Sequence, residues 1–493
     1  VDGPYVETDN QNGETYDATK EVPGWDQPNF DESGWMNTKI ATSSTIKVDS
    51  DMHPESVALV AQPEEPAQEI EYLKATFLAK TGDDTYVYDL GQNISGVIRI
   101  NVKGEAGTVM KLRYGEMVYK NTNALYTANL RSAKATDYYT LKGDENGETY
   151  QPALTFHGFR YFEVSGLGYQ PAEDDVIGVV IHSKLDRTGY VETNNELVNK
   201  LFSNIIWGHR DNYLSVPTDC PQRDERMGWT GDASVFSRTA SLNFDIDAFY
   251  TKYIRDVYAA SKNGNMPSIA PIEPHPSFVQ GASVWGDFAV IGPWTVYSTY
   301  GDTAILEEAW PYMTAWISYY ENTKAGSDYI CDFDTYGDWL AIGESTDALY
   351  SSTCFYAYVT GLMAKMAAAL GKTEEADYYA KLEQNIKNAI VTKWVNQDTG
   401  VISNDTQTTY VLALAFDILP TEQLRQKAAD NLVARIEAKG WHLSGGFIGI
   451  ENLLPVLTKY GYNEVAYKLL LTKTYPSWLY PVVNGATTMW ERW

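Results

Sequence analysis

Near residue 185 the chain changes its hydrophobic period from two residues to about 3.6, and that switch restricts the fold more than any other feature of the sequence. Before it, the chain runs in short alternating stretches broken by Gly, Asn and Asp. In "GVIRINVKG", Ile98, Ile100 and Val102 fall on one face while Arg99 and Asn101 fall on the other, the pattern of a half-buried strand. "TYVYDLG" alternates Tyr86, Tyr88 and Leu90 in the same way, and "NISG" reads as the connection between two strands. The region up to about residue 180 therefore reads as antiparallel β-sandwich. "AQPEEPAQE", where Pro63 and Pro66 bracket an acidic pair, reads equally as a linker or a solvated loop. After the switch, Leu197, Leu201 and Ile205, with Phe202 and Ile206 adjoining, form one helical stripe. Thr373 is placed to cap a helix striped by Tyr379, Leu382, Ile386, Ala389 and Ile390. Thr421 is placed to cap another, with Leu424, Ala428, Leu432 and Ile436 spaced by four and Gly440 as its stop. The expected organisation is an N-terminal β-domain (1–65), a β-sandwich domain (66–185) and a long helical domain (186–493) built as a toroid or bundle of hairpins, with loops at one end free for chemistry.

Composition excludes several functions. A formal net charge of −27 over 493 residues, with no basic block, opposes binding to nucleic acid and adhesion to anionic membranes. Aromatic residues make up 13%, including 36 tyrosines and 14 tryptophans, a richness suited to flat, partly polar ligands such as sugars. Cys220, Cys331 and Cys354 are an odd set without a CxxC pair and read as reduced core thiols. The apolar stretch from Val411 to Leu419 is too short to span a membrane and is interrupted by Asp417, so the chain reads as soluble. Because it opens on Val1, a processed or trimmed product is expected. The compartment stays open, with the cytoplasm favoured over secretion.

The densest chemistry lies in "DCPQRDERMGWTGD", residues 219 to 232. Asp219, Asp224, Glu225 and Asp232 cannot all ionise cheaply in one enclosed loop, so arginine or water must compensate them, or one must hold its proton as a general acid does. Arg223 and Arg226 can each fork to a carboxylate and keep it ionised, while an unpaired carboxyl in a less polar setting has its pKa raised. Trp229 supplies an apolar wall. A surface loop tied by salt bridges would show the same charges, but a solvated loop seldom needs an indole.

Hydrolysis of a glycoside needs a second carboxylate to activate water or attack carbon. "GATTMWERW" offers Glu491 between Trp490 and Trp493, and "SVWGDF" (Trp285, Asp287) and "TYGDWLAIGE" (Asp338, Trp339) again set indoles beside acids. Each alone reads as core packing; together they fit a saccharide cleft. The six histidines (His53, His157, His182, His209, His275 and His442) show no HExxH or other close metal spacing, and each reads as structural. Walker A, GxGxxG and GxSxG patterns are absent, so neither metal nor nucleotide cofactor is expected.

"TDCPQRDERMGWTGDA" closely resembles the signature of glycoside hydrolase family 78, the inverting α-L-rhamnosidases. The likeness extends through "NGETYDA", "GWDQPNFDESGW", "NLRSAKATDYYTLKG" and "QPALTFHGFRYFEVSG", which look like the family's β-domains. "SVWGDF", "DTYGDW" and "TTMWERW" look like landmarks of its (α/α)6-barrel. The resemblance implies an (α/α)6-barrel catalytic domain, with Glu225 as general acid and Glu491 as general base. It implies that Asp219, Arg223, Asp224, Trp229 and Asp232 hold the rhamnosyl group, with Trp285, Trp339 and Trp490 as further walls. An inverting pair implies carboxyl groups roughly 6.5–9.5 Å apart.

Family members continue past the "WERW" segment, and this chain starts inside the first β-domain rather than before it, so it is expected to be an internal fragment whose missing helices expose apolar surface and leave Glu491 on a frayed end. The functions to separate are release of terminal α-L-rhamnose from small-molecule or oligosaccharide glycosides, non-catalytic saccharide binding, and (α/α)6-barrel chemistry on a different sugar. A homodimer contact is an equally good use for exposed aromatics.

Overall fold

The computed structural model describes residues 3–37, 61–272, 281–333 and 336–492. Its first half is all β: β1 (Tyr5–Asp9), β2 (Gly13–Asp17), β3 (Ala67–Lys74), β4 (Thr76–Gly82), β5 (Thr85–Val102), β6 (Val109–Gly115), β7 (Met117–Val118), β8 (Leu125–Tyr126), β9 (Thr136–Thr140), β10 (Glu148–Tyr150), β11 (His157–Ser165) and β12 (Val176–Ser183). Ten of these share one sheet in the order β1-β2-β9-β6-β11-β5-β12-β3, with β4 and β10 also paired to β5. All its pairings are antiparallel except β2 with β9, so the hairpin before the 61–69 segment and the strands after it are hydrogen-bonded together.

"NISG" is not a turn. β5 runs through it without a break, pairing first with β4 and β11 and then with β10 and β12, so one strand links both layers. Ile94, Val97, Ile98 and Ile100 are completely buried, while Asn101 is exposed. A side chain at Gly96 would meet the Val179 carbonyl at 1.9 Å, which is why a glycine lies where β12 passes over the strand. The 61–69 segment is mostly exposed, with Glu64 as the exception. Glu64 is buried against the Lys252 and Asp256 side of the helical half, and burial pushes its carboxyl up to about 7 against the pull of Lys252.

The second half is helical: α1 (Glu196–Asn212), α2 (Thr230–Asn243), α3 (Asp247–Ala259), α4 (Phe288–Tyr300), α5 (Thr303–Tyr319), α6 (Ala348–Ala369), α7 (Thr373–Trp394), α8 (Gln407–Ala415) and α9 (Glu422–Ala438), then shorter helices to Val483. α4 packs on α2, α3, α5 and α6, while α6 packs on α7 and α8 on α9. Thr421 caps its helix as expected, accepting from Leu424 N at 3.2 Å, and Asn195 caps α1 in the same way, accepting from Leu197 N at 3.0 Å. Thr373 is instead the first helical residue, and Lys372 precedes it without a side-chain cap. Each half has its own core, one around Tyr88, Tyr114 and Phe162, the other running from Ile206 to Leu469. α1 joins them by packing on β5 and β12. All three cysteines are buried and unpaired. Among the described residues, no helix is long and apolar enough to cross a membrane.

Candidate active site

The 219–229 loop connects a two-stranded ribbon (Tyr213–Leu214, Val216–Pro217) to α2. Its ends are drawn together by Asp219, whose N–H donates to Met227 O at 3.1 Å and whose Oδ1 accepts from Met227 N at 2.8 Å. Gly158 on β11 lets the loop lie against the sandwich, since a Cβ there would meet Pro221 at 2.7 Å. Arg226, at φ 56°, turns back and donates to the carbonyls of Asn10 and Phe156, gripping the N-terminal hairpin and the sandwich at once.

Arg223 is the hub. Its Nε donates to Glu225 Oε2 at 3.0 Å, its Nη2 to Asp219 Oδ2 at 3.0 Å and its Nη1 to Glu491 Oε2 at 2.9 Å. One planar fork thus gathers three carboxylates, two from the loop and one from the far end of the chain. Glu491 is carried by a segment seated on β5 and α1: Asn93 N donates to Thr487 Oγ1 at 2.9 Å, and Asn204 Nδ2 donates to Ala486 O at 3.0 Å. The segment leading to Glu491 is tied down at both contacts.

Glu225 accepts from three directions, with Trp229 Nε1 on Oε1 at 2.9 Å and Arg131 Nη2 joining Arg223 on Oε2 at 2.7 Å. Burial opposes its ionisation, but the hydrogen bonds and charges of Arg223 and Arg131 outweigh burial and hold its carboxyl below the usual range. The carboxyls of the 219–232 stretch that favour a proton are Asp219 and Asp232. Asp219 is pushed up to about 6, by burial first and then by the negative charge of Glu225. Asp232, in the first turn of α2, is raised well above its ordinary value by burial and then by Asp219, Glu491 and Glu225. Its surface is partly open, but the protein surrounds it on the scale over which charge is felt. Arg223 stays firmly protonated because the Glu491, Asp219 and Glu225 carboxylates outweigh the cost of burying it.

The indoles form a partial wall. Trp229 meets Tyr336 edge-on at 5.6 Å, Trp285 tilts against Tyr336 at 4.6 Å, and Trp339 reaches it at 6.5 Å. Trp285 is buried under Gly231, where a Cβ would come within 2.3 Å of the indole, while Trp339 is 42% exposed. Trp490 is half-buried beside Glu491 and makes no ring contact with this wall among the described residues. Trp493 lies outside them. Asp287 and Asp338 are structural. Asp287 accepts from Trp316 and Tyr320 in the core, and Asp338 accepts from Thr408 Oγ1 at 2.6 Å and Gly446 N at 2.9 Å, tying down the loop that carries Tyr336 and Trp339.

Asp224 shares the Arg131 guanidinium with Glu225 and, among the described residues, has no bond to Arg223. Arg131 Nε donates to it at 2.5 Å and Ser132 Oγ and N also bond it, so it fastens the loop to the sandwich. Arg131, Ser132 and Tyr336 were not legible as site residues. Glu116 is a further one: it accepts from Asn93 and Asn129 on the sandwich, close enough to feel the Arg223 charge, and burial still carries it to about 7. No local pattern in "NLRSAKATDYYT" distinguishes Arg131; it is a site residue because its loop, with φ 56° at the arginine, crosses to the other half of the molecule.

Comparison with known proteins agrees along the whole chain. Residues 186–493 match the bacterial α-L-rhamnosidase 6 hairpin glycosidase domain, residues 79–182 the concanavalin-like domain of the same enzymes, and residues 1–66 the α-L-rhamnosidase N-terminal domain. An α-L-rhamnosidase of Streptomyces avermitilis is 44% identical over 100% of this chain and 46% of its own length, and one of Formosa agariphila is 37% identical over 100% and 52%. The structure of a Streptomyces avermitilis α-L-rhamnosidase complexed with L-rhamnose superposes with a TM-score of 0.93, again covering 100% of this chain and 46% of that one. The chain thus spans about half the length of the curated relatives it matches. On the matched domains and the shared architecture, this chain belongs to the bacterial α-L-rhamnosidases, glycoside hydrolase family 78, with a sheet-rich N-terminal part followed by the helices of the 6 hairpin glycosidase fold.

Proposed function

We propose that this chain hydrolyses terminal α-L-rhamnosides with inversion, Glu225 protonating the leaving oxygen and Glu491 activating water. The observation that carries the reading is Arg223 bonded at once to Glu225, Asp219 and Glu491. Glu225 occupies the Nε side of the guanidinium and Glu491 its distal end, so the fork keeps the two carboxylates from meeting, and an inverting pair needs such a gap for its water. Asp219, Arg223 and Asp232 are the groups to receive sugar hydroxyls, and Trp229, Trp285 and Trp339 the faces to receive the ring and its methyl group. Asp224 acts through Arg131 rather than on the sugar.

Arg223 and Arg131 favour the ionised form of Glu225, so the acid must take up a proton from solvent as the substrate binds. A bound rhamnoside displaces water and competes for donors that now serve the carboxylates, and both changes favour the protonated acid. Proton NMR of an aryl α-L-rhamnoside incubated with the chain tests the reading. Initial release of β-L-rhamnose supports it, initial α-L-rhamnose rules out inversion, and cleavage of other aryl glycosides in preference would reassign the sugar.

A further inference from the structure

On that reading Glu225 must reach the glycosidic oxygen, so the leaving group begins at Glu225 and extends away from the rhamnosyl pocket. Glu225 Oε2 is bonded by Arg131, and Arg131 also lines a cavity of about 320 Å³ on the sandwich, walled further by Arg113, Thr127, Ser132, Lys134 and Tyr138. β6 supplies Arg113, β9 supplies Tyr138, and the loop between β8 and β9 supplies the rest.

The charge of this cavity is unusual for the molecule. Acidic residues outnumber basic ones 65 to 38 in the chain, yet three cations and no carboxylate line this space. Arg113 donates to Thr127 Oγ1 at 2.9 Å, and its contact with Glu163 is long at 3.9 Å. Lys134 is exposed, and its ammonium has no hydrogen-bond or ion-pair partner among the described residues. Arg131 points its charge at Asp224 and Glu225 from the edge nearest the catalytic loop.

We propose that this cavity is the leaving-group subsite and takes an acidic sugar, a uronate whose carboxylate sits among Arg113, Arg131 and Lys134; the inference rests on the rhamnosidase reading. The volume suits a single sugar ring, and the hydroxyls of Thr127, Ser132 and Tyr138 are available to those of the sugar. A carboxylate held by Arg131 competes with Asp224 and Glu225 for the same guanidinium. Glu225, which also faces Arg223, Asp219, Asp232, Glu491 and the Trp229 N–H, then loses one of the two cations that keep it ionised. The leaving group thereby readies the acid that protonates it, whereas a neutral aglycone leaves the Arg131–Glu225 pair intact.

Titration calorimetry at low ionic strength tests this with a thio-linked α-L-rhamnosyl glucuronate and its methyl ester, on the 493-residue chain and on its Arg113→Gln/Lys134→Gln variant. The acid is expected to bind about ten-fold tighter than the ester, with the preference shrinking as salt is added and falling close to one in the variant. Equal affinity for acid and ester in the unmodified chain, or a preference that survives in the variant, overturns the acidic subsite and leaves the rhamnosidase reading standing. Binding of neither compound overturns both.

Discussion

Arg131 of the β-sandwich donates to the Glu225 carboxylate of the helical half across 2.7 Å, so the charge state of the proposed acid is set in part by another domain. The alkaline limb of kcat/KM reports the pKa of a general acid, which must be protonated to act. Removing a cation that favours the ionised form raises that pKa. Arg131→Gln is therefore expected to move the alkaline limb to higher pH, measured with a neutral aryl rhamnoside across roughly pH 4 to 9. An unmoved limb would separate Glu225 from the titration that governs the rate.

The roles of the two glutamates are distinguishable by leaving group. Glu225→Gln and Glu491→Gln should each lower kcat by about 10²–10⁴ on substrates with poor leaving groups. With an activated nitrophenyl leaving group, which departs without a proton, the deficit of Glu225→Gln should shrink and that of Glu491→Gln should persist. Steady-state kinetics on the two substrates decides, and identical behaviour of the variants would refute the division of labour.

Exposure separates two tryptophans that look alike in sequence. Trp285 is 3% exposed and Trp339 is 42% exposed. Trp285→Ala should cost about 3–5 kcal/mol of stability, as large-to-small changes in a packed core do. Trp339→Ala should leave the urea midpoint close to wild type while weakening rhamnose affinity. Denaturation curves for both, with calorimetry for the second, check the contrast.

The acid cluster makes the fold sensitive to pH. Asp219, raised to about 6 in the folded state against about 3.9 for an unfolded Asp, binds more proton when folded between those values. Its contribution to stability is complete below about pH 4 and is lost as pH rises through 6. Asp232 is raised as well, by burial first, so Asp232→Asn should increase the urea midpoint at neutral pH while activity falls. A lower midpoint for that variant would show that its carboxylate is stabilised by the fold, reversing the sign argued here.

Much of this architecture could be read from local pattern. The period switch near residue 185, the Thr421 cap and the crowded 219–232 loop all act over a few residues, where side-chain spacing and backbone preference speak directly. What stayed hidden is long-range. "NISG" carries turn residues yet lies in β5, because β11 pairs with Ile94, Ser95 and Gly96 and β12 with Gly96, and these pairings override local preference. Asp224 looked like a sugar ligand because its partner lies 93 residues earlier in Arg131. Glu225 looked like the group to hold a proton, and two guanidiniums, one of them invisible from its own loop, put the proton elsewhere.

Arg226 donates to the Asn10 and Phe156 carbonyls, so the catalytic loop takes its shape from backbone that no helix supplies. Carbonyl oxygens are present whatever the side chains, so this grip tolerates substitution on the sandwich but not its removal or a shift of its strands. Sandwich and helices are therefore coupled through main-chain geometry as well as through Arg131, so a displaced strand on one side would reshape the loop on the other.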